Sequence, residues 1–231
     1  MTKNELIYTV YEKLKIQSDD TSLSQELVSS LLDSKRAMLL KQQYSAKSWN
    51  VPREIKQELC LGLSLVNKVD GYSCAGKILR SSQAMPKTIK IKGKEGPFLV
   101  RKEDNSVIAI NVVPIERLPF LFSNKFTSML TYCAIDYDNR LLLISADNKL
   151  NFLKNIKVTD VYEKPEDAYI LTCITEGSDY WEAEYPMEAA MADTVINMVV
   201  KELLTTMQIP EDNANNATDD RQQQAAQPRR R

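Results

Sequence analysis

Apolar positions follow three regimes along the chain. From Thr2 to about Tyr44 they recur every three or four residues, the spacing of one helical face. Leu6, Ile7, Val10, Tyr11 and Leu14 make a first stripe, opened by Thr2-Lys3-Asn4-Glu5, which fits a capping box. The polar stretch SDDTS at 18–22 should end that helix. Ser22-Leu23-Ser24-Gln25 is a second capping signal, followed by Leu27, Val28, Leu31, Leu32, Met38 and Leu39. A helix reaching Tyr44 would be about 34 Å long at about 1.5 Å per residue. A short connection would fold the two into an antiparallel hairpin. Pro52 suits the first turn of a third, short helix, PREIKQEL.

From Cys60 to about residue 180 the pattern reads as β. Leu61, Leu63 and Leu65 alternate with smaller or polar residues, and MPKTIKIK at 85–92 alternates as well. The segment GKEGPFLVRKEDNSVIAINVVP holds two short apolar runs around a polar turn. YCAIDYDNRLLLIS at 132–145 is the clearest hairpin, with Asp138-Asn139 at its turn. NIKVTDVYE and AYILTCIT, separated by Lys164-Pro165-Glu166-Asp167, complete about seven short strands. These suggest an antiparallel sandwich or small barrel. The absence of βαβ alternation argues against a dinucleotide-binding fold. After Tyr185-Pro186 the helical period returns until Pro210. Met187, Met191, Val195, Ile196, Val199, Val200, Leu203, Leu204 and Met207 make a face wider than one sheet requires. The expected fold is α+β in four segments: a helical region at 1–59, a β-rich body at 60–184, a helix at 185–209 and a polar tail at 210–231.

Composition narrows the chemistry. The chain has 231 residues, 43% hydrophobic, with a net charge of -1, which is ordinary for a soluble protein with a real core and argues against a nucleic-acid coat. No run of 18 apolar residues marks a transmembrane helix, and MTKNELIYTVYEKLK lacks the apolar region of a secretory signal. Cys60, Cys74, Cys133 and Cys173 match no zinc spacing and sit beside apolar residues, so they are expected as reduced core cysteines. There is no histidine, which removes Ser-His-Asp triads, Cys-His dyads and HExxH sites.

The remaining motifs are thin. Gly93-Lys94-Glu95-Gly96 lacks the helix signal of a phosphate loop. Asp136-Tyr137-Asp138-Asn139 has Leu141 where a calcium loop needs glycine. Glu176, Asp179, Glu182 and Glu184 surround Trp181, an acidic cluster that reads as a turn unless a partner set exists elsewhere. Lys35, Arg36, Lys41 and Lys47 gather toward the end of the long helix, either as a basic strip facing DNA or an acidic partner, or as a solvated face complementing the helix dipole. On the last helix Met191, Val195, Met198, Val199, Leu203 and Met207 are candidates for an inter-subunit interface, the alternative being burial within the monomer. In the tail, Glu211, Asp212, Asp219 and Asp220 precede Arg221, Arg229, Arg230 and Arg231, which gives either an arm that orders on a neighbour or a solvated end. No cofactor, metal or catalytic residue is expected.

Four phrases carry a resemblance as an ordered set: LLDSKRAMLLKQQY at 31–44, QELCLGLSLV at 57–66 with KVDG soon after, KILRSSQAMPKTI at 77–89, and YPMEAAMADTVINMVVKELLTTMQIPEDNANN at 185–216. Together they resemble the structural proteins of crAss-like tailed phages of Bacteroides-type gut bacteria, more narrowly a head-to-tail connector or ring protein. The resemblance implies a non-enzymatic virion protein at the portal vertex or tail, passing through host cytoplasm during assembly. It implies rings, commonly of twelve copies, that contact the portal and other tail rings. DNA would pass through the lumen without sequence recognition, and no membrane would be involved. The alternative from the residues alone is a soluble monomer or dimer whose β-rich body binds a ligand.

Overall fold

A computed structural model describes residues 1–15, 23–46, 51–66, 77–91, 97–103, 109–122, 125–127, 130–145, 153–172 and 179–207. Helix α1 spans Lys3–Lys15, and its capping box forms as expected. The Thr2 N–H donates to Glu5 Oε2 at 2.8 Å, and the Glu5 N–H donates to Thr2 Oγ1 at 3.2 Å. Helix α2 spans Gln25–Ala46. Its cap is Ser24, which accepts from the Leu27 N–H at 3.3 Å; Ser22 lies outside the described residues. The buried stripe of α2 runs through Val28, Leu32, Leu39, Leu40 and Tyr44, while Leu27 and Met38 point outward.

Seven strands close into a barrel in the order β1-β2-β6-β5-β4-β3-β7. They are β1 (Gln57–Val66), β2 (Lys77–Ser81), β3 (Leu99–Lys102), β4 (Ala109–Val112), β5 (Tyr132–Ile135), β6 (Leu141–Ser145) and β7 (Asn155–Asp160). The small-barrel expectation holds, with one departure: β4 and β5 run parallel and every other pair is antiparallel. Parallel neighbours need a crossover. Here it contains a 3-10 turn, Ile115–Arg117, and helix α3, Leu118–Phe122. So short a helix leaves no period in the sequence.

Leu59, Leu61, Leu79, Val100, Ile110, Cys133, Leu141, Leu143, Ile156 and Val158 form one cluster and occupy paired register positions, so they fill the barrel interior. Ile78, Tyr132, Ala134, Leu142 and Ile144 point the other way and pack under Ile115 and Leu118 of the crossover. Strand β6 is therefore covered on both faces, which is why it reads as an unbroken apolar run, LLLIS. The β5–β6 hairpin turns where expected. Asn139 takes a positive φ of 56°, and the Asp136 N–H donates to the Arg140 carbonyl at 2.8 Å. Strand β1 pairs with β7 through Gly62 and with β2 from Leu63, a hand-over that staggers the strands for closure. The Gly62 carbonyl accepts from both the N–H and the hydroxyl of Ser82, and a Cβ there would lie 3.2 Å from that hydroxyl.

Three expected elements differ. The helix expected at PREIKQEL is only a 3-10 turn, Arg53–Ile55, because Lys56 turns extended and β1 begins at Gln57. The described residues of MPKTIKIK, 85–91, stay outside the barrel ladder; Thr88 bridges Tyr162, and Ile89 and Ile91 join the helical core. The expected strand AYILTCIT starts instead as helix α4, Pro165–Tyr169, since Pro165 at its first turn followed by Glu166 and Asp167 is a helix-start signal.

Helix α5, Ala189–Met207, is wedged between α1 and α2. Together with Val51, Ile55, Ile89, Ile91 and Val161, the three helices build a second core at one end of the barrel. Cys60 is disulfide-bonded, contrary to the expectation of reduced cysteines; apolar neighbours do not distinguish a paired thiol from a free one. Cys133 is a free thiol inside the barrel, where burial pushes its pKa up to about 12. Cys74 and Cys173 lie outside the described residues.

Candidate functional site: a buried clamp and the surfaces around it

The most heavily charged interior joins the first turn of α1, the middle of α2 and the segment before α5. The Lys3 ammonium is fully buried and donates to Asp33 Oδ2 at 3.0 Å and to the Tyr180 hydroxyl at 3.1 Å. It also lies 4.9, 5.5 and 5.9 Å from the ring centroids of Tyr180, Trp181 and Tyr185. Asp33 Oδ1 accepts from the Tyr185 hydroxyl at 2.6 Å. Arg36, one turn further along α2, is also fully buried. Its Nε donates to the Pro186 carbonyl at 2.8 Å, and its Nη1 donates to the Tyr162 carbonyl at 2.9 Å, just beyond β7.

Burial lowers the Arg36 pKa, opposed by Tyr185, Asp33 and Tyr180; burial and then Asp33 raise that of Tyr185. These groups hold the helical layer to the barrel. A buried cation stripped of its partner leaves an uncompensated charge, so the arrangement is a clamp whose parts depend on one another.

The sequence candidates distribute around this clamp. Arg36 is the clear correction: expected on a basic strip facing a portal or DNA, it is interior, because it continues the buried Val28–Leu32–Leu40 row of α2. Lys35 pairs with Glu202 of α5, Lys41 is exposed, and Lys47 lies outside the described residues. The acidic residues around Trp181 serve structure. Asp179 Oδ1 accepts from the Trp181 N–H at 3.1 Å, Glu182 Oε1 accepts from Asn4 Nδ2 at 2.9 Å, and Glu184 bridges Thr2 through the backbone. Glu176 lies outside the described residues. Among the described residues no group of three His, Cys, Asp or Glu side chains is placed to hold a metal.

Met191, Val195, Val199 and Leu203 are buried within the chain, Met198 is half-buried, and the side chain of Met207 and residues Arg221, Arg229, Arg230 and Arg231 lie outside the described set. The wide apolar face of α5 thus meets two helices of its own chain. A surface cleft of about 530 Å³ lies beside the clamp, between α2, the turn at Glu163–Lys164 and Trp181. Ser29, Ser30 and Ser34 line it with the carboxylates of Glu26, Glu163 and Glu166. Among the described residues no helix is long and apolar enough to cross a membrane.

Sequence reasoning missed Lys3 and Asp33. The signal was available: Lys3 shares a helical face with Ile7, Val10 and Leu14, and Asp33 lies one turn before the buried row at 36–40. A charge on an apolar stripe announces a buried partner.

Two comparisons bear on what such a molecule is. Residues 5–221 match the family model described as phage tail ring protein 2. The chain is also 33% identical over 224 residues to "Ring protein 2" of Bacteroides phage crAss001, covering 95% of this chain and 98% of that protein. The match runs through both the helical layer and the barrel, and this chain belongs to the phage tail ring protein 2 family of crAss-like phages.

Proposed function

We propose that this chain is a non-enzymatic tail component that closes with copies of itself into a ring in the portal-proximal part of a short tail, enclosing part of the channel through which the genome passes. The observation that carries the reading is the family match over residues 5–221. The fold supports it. The barrel is closed, so its seven strands offer no free sheet edge, and contacts between copies fall to helices, loops and termini. A ring of one chain needs two different surfaces that fit each other on successive copies.

In this reading twelve copies form the ring, the β-rich body builds the annulus, and the helical layer with the polar tail faces other subunits, the portal or an adjacent ring. Lys41 and Lys47 remain candidates for a weak basic strip. Arg221, Arg229, Arg230 and Arg231 are candidates for an arm seated in a neighbour. DNA in the lumen would be passed without base recognition, and no enzymatic step is involved.

Copy number tests the reading. Quantitative mass spectrometry of purified virions, referenced to the portal protein, should give one copy of this chain per portal subunit. A value near one copy per particle would rule out a ring.

A further inference from the structure

This inference rests on the ring reading and concerns the cleft of about 530 Å³ beside the clamp. Its rim carries the carboxylates of Glu26, on α2, and of Glu163 and Glu166, around the start of α4, against the single ammonium of Lys164. Asp33 also lines it, but Lys3 and Tyr185 already occupy both of its oxygens. The side chains of Glu26, Glu163 and Glu166 have no ion pair or hydrogen bond among the described residues.

A negative rim by itself marks nothing, but the wall beneath it holds an open hydrogen-bonding group. Ser29 lines the cleft and is only 7% exposed, and its hydroxyl has no partner among the described residues. Other helical hydroxyls of this chain do have one: those of Thr9, Thr205 and Thr206 donate to the carbonyl one turn back. A buried polar group that the fold leaves unsatisfied calls for a partner from outside it. Half-buried Trp181 adds a flat apolar surface to the same cleft. Carboxylates, a hydroxyl acceptor and an aromatic plane together suit a guanidinium, which forks onto carboxylates and stacks on rings. A phosphate would meet like charges here.

We propose that this cleft receives the arginine run of the tail, Arg229-Arg230-Arg231, from the adjacent copy in the ring. Charge selects that segment, since the cleft has a surplus of carboxylates and the run is wholly cationic. The path of α5 suits it as well. The Tyr44 hydroxyl donates to Glu188 Oε1 at 2.8 Å and Lys35 pairs with Glu202, so α5 runs antiparallel to α2. The chain therefore leaves α5 toward the N-terminal half of α2, where Glu26 and Ser29 lie. Residues 208–231 can span at most about 80 Å, which exceeds the roughly 30 Å diameter of a small domain and reaches a neighbour. A head-to-tail ring needs one surface that fits a different surface on the next copy. The cationic run and the acidic cleft are such a pair.

The test uses whole virions made by complementing a phage that lacks the chain. With the photocrosslinker p-benzoylphenylalanine replacing Arg230, irradiation should yield a species of twice the chain mass, its crosslink mapping to residues 26–37 or 163–166. In parallel, Glu26→Lys with Glu163→Lys should lower incorporation into tails about tenfold, and Arg230→Glu with Arg231→Glu should do the same, while the purified chains keep wild-type helix content and Tm. Combining the two pairs swaps the charges and should restore incorporation. Crosslinks only within one chain, to a different virion protein or to DNA, in particles that still carry the ring, would overturn this inference and leave the ring intact. Wild-type incorporation of either pair, or no recovery in the combined variant, would overturn it too. Absence of any ring in wild-type particles would instead defeat the reading beneath it. Should the cleft pair unfold, the crosslinking result still decides, because that chain keeps every cleft residue.

Discussion

At the scale of single residues, the structure depends on charges placed where apolar side chains are expected. Lys3→Met alone would leave the Asp33 carboxylate buried against Tyr185 without its cation, at a cost of about 3–5 kcal/mol. Removing both partners, as Lys3→Met with Asp33→Leu, should recover only part of that loss, because buried Arg36 and the Tyr185 hydroxyl then lack the carboxylate; a double-mutant cycle in urea would measure it. Asp160 gives a second test. Burial raises its pKa to about 7 from the ordinary 3.8, with only the Val161 N–H favouring the charged form; Oδ2 has no partner among the described residues. Tyr162 nearby and Gln57 opposite on β1 add no positive charge. The folded chain thus holds a proton that the unfolded chain releases. The contribution of Asp160 to stability should be greatest below about pH 4, fall by about 2–4 kcal/mol as pH rises to about 7, and then level off. Asp160→Asn should remove that slope; an unchanged slope would show that another group carries it. The capping box at Thr2–Glu5 was legible because its pattern is local. The burial of Arg36 was not, since a run of Lys and Arg on a helix looks the same whether water or carbonyl groups receive it.

At the scale of elements, what could be read depended on how many faces each segment buries. The β5–β6 hairpin was legible from alternation and its Asp-Asn turn. Helix α5 was legible as a helix but not as a wedge: a wide apolar face fits two helices of the same chain as well as one helix and a neighbour. The crossover was invisible, because five helical residues show no period and the parallel β4–β5 pair it permits is a long-range choice. Its two faces now predict opposite behaviour. Leu118→Ala, on the fully buried side, should cost about 2–5 kcal/mol and lower Tm visibly. Phe120→Ser, on the exposed side, should change stability by no more than about 0.5 kcal/mol. Thermal unfolding of the two purified variants separates packing from presentation; equal losses would show that Phe120 supports the fold.

At the scale of the whole molecule, a closed barrel with three helices clamped over one end has used its sheet edges and its α5 face internally. Among the described residues, the exposed sides of α1, α2 and the crossover remain for neighbours. Deleting 211–231 should leave unfolding midpoints unchanged, since that segment contains no Val, Leu, Ile, Met or aromatic residue, yet reduce ring assembly in virions. Normal assembly of that truncation would make the tail a solvated end. The alternation of helix and strand regimes gave away the α+β plan from sequence. The ring came from resemblance, because subunit contacts between copies leave no period within one chain.

The most direct measurement is electron cryomicroscopy of intact virions with density for this chain traced at the portal vertex. The account predicts a closed ring of identical copies. Density for isolated copies at other sites, or no density for the chain in the particle, would contradict it.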